Sequence, residues 1–178
     1  MYYLMVMKLI RTNYNPSSNG IRFTLDNSSF SLYSRTDRVV HAYKFHGTLD
    51  TGVGSLYLML YREFAIRNQR VAINSTGYNN YNTGVQSSQG IYTALRNTNT
   101  NVYIDINKTT FSITRDSTAR PNRELYLLVL NNNGTLQYYD DVQLAFCFLG
   151  RYFTPIELNN RIDIIEAYMD ANGKGVIP

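Results

Sequence analysis

Runs in which every second residue is apolar recur along most of this 178-residue chain, and no other feature restricts its fold as strongly. The clearest are VVHAYKFH (39–46), SLYLMLY (55–61), GIYTALR (90–96), NVYIDIN (101–107), TFSIT (110–114), ELYLLVL (124–130) and VQLAFCFL (142–149); weaker ones stand at 22–26, 29–35 and 70–74. A strand turns successive side chains to opposite faces, so each run describes a ribbon with one side for a core and one for water. About ten strands are expected on this count. Clusters such as NPSSNG (15–20), DTGVG (50–54) and NNNG (131–134) separate them, supplying the fixed or positive φ that tight reversals need. With no helix between strands, pairing should be antiparallel, and the expected fold is a two-sheet sandwich of jelly-roll type rather than a parallel α/β sheet. Within NVYIDIN, Val102, Ile104 and Ile106 should face the core and Tyr103, Asp105 and Asn107 the solvent. Asn107-Lys108 then turns the chain into TFSIT, where Phe111 and Ile113 take the inner side.

The alternation stops after residue 149, and a helix is expected over about 155–172. Thr154 can cap it, Pro155 suits the first helical position, and Glu157 closes a capping box three residues after Thr154. Phe153 before the cap can meet Leu158 as a hydrophobic staple. Leu158, Ile162, Ile165 and Met169 form one apolar stripe, and Asn172-Gly173 offers a left-handed stop. A helix of this length is marginal alone in water, whereas burying the stripe contributes up to about 6–12 kcal/mol. It should therefore dock on the sandwich.

The length fits one domain, read as an N-terminal strand-like arm over 1–20 followed by the sandwich and its closing helix over 21–178. Cys147 is the sole cysteine, set between Phe146 and Phe148, and reads as a small buried hydrophobe rather than a reactive thiol. The opening MYYLMVMKLIR has an apolar stretch too short for a membrane span and lacks the basic start and small-residue cleavage site of a signal peptide, so export by that route is not expected. Net charge is +4, but arginines such as Arg11, Arg22, Arg35, Arg38, Arg62, Arg67, Arg70 and Arg96 are scattered singly, which reads as a solvated basic surface. Neither a nucleic-acid groove nor a membrane partner is expected. Sixteen tyrosines without a tryptophan, among many asparagines, serines and threonines, make a surface that stacks and hydrogen-bonds more than it attracts by charge.

Two stretches carry a family resemblance: GIYTALRNTNTNVYIDINKTTFSI, and RPNRELYLLVLNNNGTLQYYDDVQLAFCFLGRYFTPIELNNRIDIIEAYMDANG. Together they resemble the concanavalin-like (laminin-G-like) jelly-roll domains of bacteriophage tail-fibre and other virion proteins, including those of phages that infect gut Bacteroidota. The matching pieces are the segment before a hairpin (Gly90 to Arg96), the strand and turn from Leu125 to Gly134, and the motif leading into the closing helix. The resemblance spans roughly residues 22 to 173. Asn107-Lys108 departs from the family's usual Asn-Gly turn, and Phe153 stands where the family has leucine.

Concanavalin-like sandwiches include glycoside hydrolases, which set an acid and a nucleophile about 5 Å apart, commonly as E-x-D-x-x-E. None of Glu63, Glu124, Glu157 and Glu166 begins such a motif, and Glu157 and Glu166 belong to the helix. Asp140-Asp141 would point to opposite faces of a strand, as would His41 and His46, five apart. Asp105 and Asn107 supply two oxygens, too few for calcium. No catalytic residue, metal ligand or cofactor is therefore expected, and no phosphate loop, dinucleotide fingerprint or nucleophile elbow is present.

Binding is the remaining chemistry. Within NSTGYNNYNTG (74–84), Tyr78 and Tyr81 can stack on a sugar ring while Asn79, Asn80 and Asn82 hydrogen-bond its hydroxyls. An ordinary solvated loop, or one ordered against a neighbouring subunit, stays open as the alternative. The expectation is a non-enzymatic structural protein on the virion surface, made in the host cytoplasm. It would be a capsid decoration, a head-fibre component or a small tail-fibre module. Its partners would be other virion proteins, further copies of itself and, weakly, glycans. A dedicated carbohydrate-binding adhesin is the competing expectation.

Overall fold

Where they fall among the described residues, the alternating runs form strands, with one break at Leu128. The computed structural model describes residues 7–11, 28–34, 44–50, 56–63, 68–76, 79–82, 89–119, 124–137 and 144–177. Along the chain these give β1 (Met7–Arg11), β2 (Ser28–Ser34), β3 (Lys44–Asp50), β4 (Leu56–Glu63), β5 (Asn68–Thr76), β6 (Asn79–Asn82), β7 (Gly90–Arg96), β8 (Asn101–Ile106), β9 (Thr109–Thr114), β10 (Glu124–Leu127), β11 (Leu130–Asn132), β12 (Thr135–Gln137), β13 (Leu144–Gly150) and the helix α1 (Pro155–Ala171). The first sheet runs β1-β10-β3-β4-β5-β6, with β11 beside β3 and β12 beside β11; the second runs β13-β2-β7-β8-β9. Pairing among the described residues is antiparallel apart from the short parallel ladder of β11 with β3. The chain is a two-sheet antiparallel sandwich with a C-terminal helix, as the alternation predicts.

Inner faces meet in one core. Phe30 and Leu32 of β2, Tyr92 and Ala94 of β7, and Val102, Ile104 and Ile106 of β8 pack with Val71 and Ile73 of β5 and Leu127 of β10. A second cluster lies on the outer side of the second sheet, where Tyr33, Ile91 and Leu95 meet Phe153, Leu158, Ile162 and Met169. The molecule therefore has three layers, sheet, sheet and helix, and β7 in the middle one is buried at all seven positions. Because of this third layer, the outer face of β8 is not the wet face expected from its sequence. Tyr103 packs in the helix cluster and Asp105 is fully buried.

Several expectations are corrected by the backbone. ELYLLVL is not one strand: Leu128 takes φ 62, a left-handed conformation that breaks the ladder between β10 and β11. Thirteen strands replace the ten expected among the described residues, partly through this split and the short hairpin β11–β12 around Asn133 (φ 51) and Gly134 (φ 96). Of the run at 39–46, residues 44–46 lie in β3, which continues to Asp50. Residues 22–26, His41 and Asp140-Asp141 lie outside the described residues. Within residues 1–20, β1 pairs antiparallel with β10 at the edge of the first sheet. Arg96, expected on a solvated surface, has 0% exposure. It closes the end of β7, its Nε donating to the Ile73 carbonyl at 2.9 Å and its Nη1 to the Thr98 carbonyl at 3.1 Å.

Candidate functional site

Polar groups gather at three places: the β8–β9 turn, the start of α1, and the seam between α1 and β2. At the turn, Asn107 and Lys108 adopt φ 49 and 71, the left-handed pair that a two-residue hairpin requires. Lysine is a poor residue for that geometry, and its neighbours compensate. Asp105 Oδ1 accepts from the Lys108 N–H at 3.1 Å and Oδ2 accepts from the Thr110 hydroxyl at 2.6 Å. The Asn107 side chain reaches the next strand, its Oδ1 accepting from the Ile91 N–H at 2.8 Å and its Nδ2 donating to the Gln89 carbonyl at 3.4 Å. The Lys108 ammonium pairs with Asp163, tying the turn to the helix. Burial raises the Asp105 carboxyl above its ordinary value, against the two hydrogen bonds that lower it.

The helix starts as its sequence predicts. The Thr154 hydroxyl accepts from the Glu157 N–H at 3.3 Å, and Glu157 Oε2 accepts from the Thr154 N–H at 2.9 Å, completing the capping box with Pro155 in the first turn. Phe153 and Leu158 are both buried in the helix cluster, as a staple requires. Arg151 adds an ion pair to Glu157 at 2.6 Å, and the Phe153 ring lies under the Arg161 and Arg151 guanidinium groups at 4.3 and 5.4 Å from its centroid. At the other end Gly173 takes φ 61, and the Lys174 N–H reaches the Met169 carbonyl at 2.8 Å, a Schellman stop.

The Arg151 bond foremost, then the Thr154 N–H, holds the Glu157 carboxyl down at about 2, against an ordinary 4.5. Since the folded value is the lower one, the ionised group stabilises the fold above the ordinary range, and that contribution disappears as pH falls through about 2. Urea unfolding of wild type and Glu157→Gln across this range should therefore show a stability difference at neutral pH that closes on acidification.

The seam contains the group that sequence reasoning missed. Along α1 the buried positions are Leu158, Ile162, Glu166 and Met169, with Ile165 only partly covered, so a carboxylate lies in the apolar stripe. Glu166 Oε2 accepts from the Tyr33 hydroxyl at 2.7 Å, and Oε1 accepts from the N–H groups of Val176 at 2.7 Å and Ile177 at 2.8 Å. Helix, sheet and the segment after the helix thus share one carboxyl group. Burial first, and then the bond to Glu166, raises the Tyr33 phenol above its ordinary value. Gly175 passes so close that a Cβ there would lie 1.8 Å from Asp170 Oδ1 and 2.7 Å from Glu166 Oε1. The sequence signal was available: residue 166 stands four after Ile162 and three before Met169.

Of the five residues proposed for glycan contact, Asn79, Asn80, Tyr81 and Asn82 form β6, paired with Val71, Arg70, Gln69 and Asn68 of β5. The segment expected as a loop is thus in part an edge strand, and Tyr78 lies outside the described residues. Asn74, which opens that segment, is buried with φ 55 at the bulge where β5 shifts register against β4. His46 lies in β3, and burial pushes the Cys147 thiol up to about 12. Among the described residues, no three His, Cys, Asp or Glu side chains gather as metal ligands do.

No protein-family model matches the chain, and no curated protein matches it by sequence. Among solved structures, the CBM40 of the Ruminococcus gnavus IT-sialidase is similar, with a TM-score of 0.49 and 10% identity, over 89% of this chain and 98% of that one. A likeness at that level bears on neither ligand nor site.

Proposed function

We propose that this is a non-enzymatic structural protein of a bacteriophage particle, displayed on its surface as a capsid decoration, a head-fibre component or a small tail-fibre module. The resemblance of residues 22 to 173 to virion jelly-roll domains supports the setting. The observation that carries the non-catalytic reading is the use of the buried carboxylates. Asp105 serves a turn and Glu166 joins three segments of backbone and side chain, each committed to its own scaffold. A group engaged in this way holds structure instead of presenting a proton or lone pair to a substrate. Mass spectrometry of purified particles from the phage encoding the chain should find it in fixed stoichiometry with the major capsid or tail proteins. Its absence from intact particles would rule the proposal out.

Weak glycan attachment is the accessory role, and a dedicated carbohydrate-binding adhesin is the second reading, favoured by the tyrosine- and asparagine-rich segment 74–84. On a broad glycan array, the adhesin reading expects saturable binding that Tyr78→Ala and Tyr81→Ala each weaken by about tenfold. An array without binding would remove it while leaving the virion role in place.

A further inference from the structure

The second sheet ends at β13, which among the described residues pairs with β2 on one side and with no strand on the other. An edge strand offers a row of backbone N–H and C=O groups to any strand of matching length, and folded proteins usually guard it with lysine, proline or an inward charge. Leu144–Gly150 reads LAFCFLG, with no lysine, proline or charge; its guard is a single bulge, the register shift beside Ala145, and residues 146–150 stay in regular register. The surface next to this edge is apolar as well. Phe146 and Phe148 stack at 6.0 Å, and Tyr168 of α1 meets Phe146 edge-on at 6.2 Å. Tyr168 is 61% exposed and Ile164, one helical turn before it, 70%.

We propose that β13 is a self-association edge, to which a second copy of this chain adds its own β13 antiparallel across a two-fold axis at Cys147. The sequence of the strand selects this occupant. A-F-C-F-L reads nearly the same in both directions about Cys147, so pairing Cys147 with Cys147 of the partner subunit sets Phe146 opposite Phe148 of the partner subunit, and the reverse. The intramolecular phenylalanine stack then becomes a cross-strand aromatic ladder, and each five-stranded sheet continues into its twin. Such a contact uses the same surface on both molecules and closes after two. Ile164 and Tyr168 extend it along the helix. Each copy carries +4 while β13 itself is uncharged, so salt should strengthen the dimer by screening repulsion, opposite to the response of an acidic partner. The inference goes beyond the virion role and does not rest on it, because it concerns the isolated chain.

The test is sedimentation velocity of the purified full chain over a hundredfold concentration range at low and high salt. Expected is a monomer–dimer equilibrium that tightens with salt. Ile164→Glu with Tyr168→Glu, both at exposed positions, should weaken it by about tenfold or more, and Phe148→Lys should abolish it. A chain monomeric throughout, or a dimer insensitive to all three substitutions, would overturn the proposal. So would a dimer that loses affinity with the helix pair but not with Phe148→Lys, which would put the contact on α1 alone. Far-UV circular dichroism of each variant separates loss of association from loss of fold.

Discussion

Replacing Gly90 with alanine should destabilise the fold by about 3–5 kcal/mol. Two costs combine. Gly90 takes φ +113, where an L side chain is strained by about 1–3 kcal/mol. A Cβ would also lie 2.1 Å from Asn107 Oδ1 and 2.5 Å from its Nδ2, so the amide that joins β7 to the β8–β9 turn must leave. Its bonds to Ile91 and Gln89 go with it, at about 1 kcal/mol each. Urea titration checks the sum, and a second substitution separates the parts. Asn107→Gly vacates the space and accepts the left-handed φ of that position, so Gly90→Ala should cost less in its presence, the remainder being backbone strain. Equal costs in both backgrounds would show that the close approach does not matter.

Glu166→Ala should cost about 2–4 kcal/mol, which in a chain of this size lowers the thermal midpoint by roughly 4–16 °C. The substitution leaves the Tyr33 hydroxyl and the Val176 and Ile177 N–H groups without their shared acceptor. Glu166→Gln should cost less, because one amide oxygen can keep both backbone bonds while the Tyr33 hydroxyl turns to accept. A double-mutant cycle with Tyr33→Phe, read by calorimetry, should give a coupling of about 1–3 kcal/mol. Additive losses would mean that the carboxylate and the phenol act separately.

What could be read from the residues divides along physical lines. Periodicity and end signals are local, and they placed β7, β8 and β9 nearly to the residue and the helix start at Thr154 and Pro155. Which faces stay wet is not local. Asp105 and Tyr103 alternate as solvent-facing residues should, yet Asp105 is buried and Tyr103 packs against a helix some fifty residues later, because the stripe of α1 had to be buried against some outer face. Residue type alone reads Arg96 as part of a solvated surface, and the sequence reading gives Glu166 no role beyond belonging to the helix. Both are buried with backbone partners, Arg96 on the carbonyls of Ile73 and Thr98 and Glu166 on the N–H groups of Val176 and Ile177. Leu128 broke a well-patterned strand with a positive φ that no propensity assigns to leucine. The candidate glycan residues were chosen for chemistry, and the backbone added a fact the composition did not hold, that four of them form an edge strand.

The order of the layers also has a consequence for synthesis. The middle sheet is made before the helix that covers it, so Tyr33, Ile91 and Leu95 remain uncovered on the ribosome while the residues from Gly150 to Ala171 are still being added. At cellular elongation rates that interval lasts about 1–4 s. During it the nascent chain is a two-layer particle with one oily side, suited to a chaperone or to a misplaced neighbour. A ribosome stalled just before Thr154 should therefore hold a product that binds more hydrophobic dye than the same chain released past Ala171.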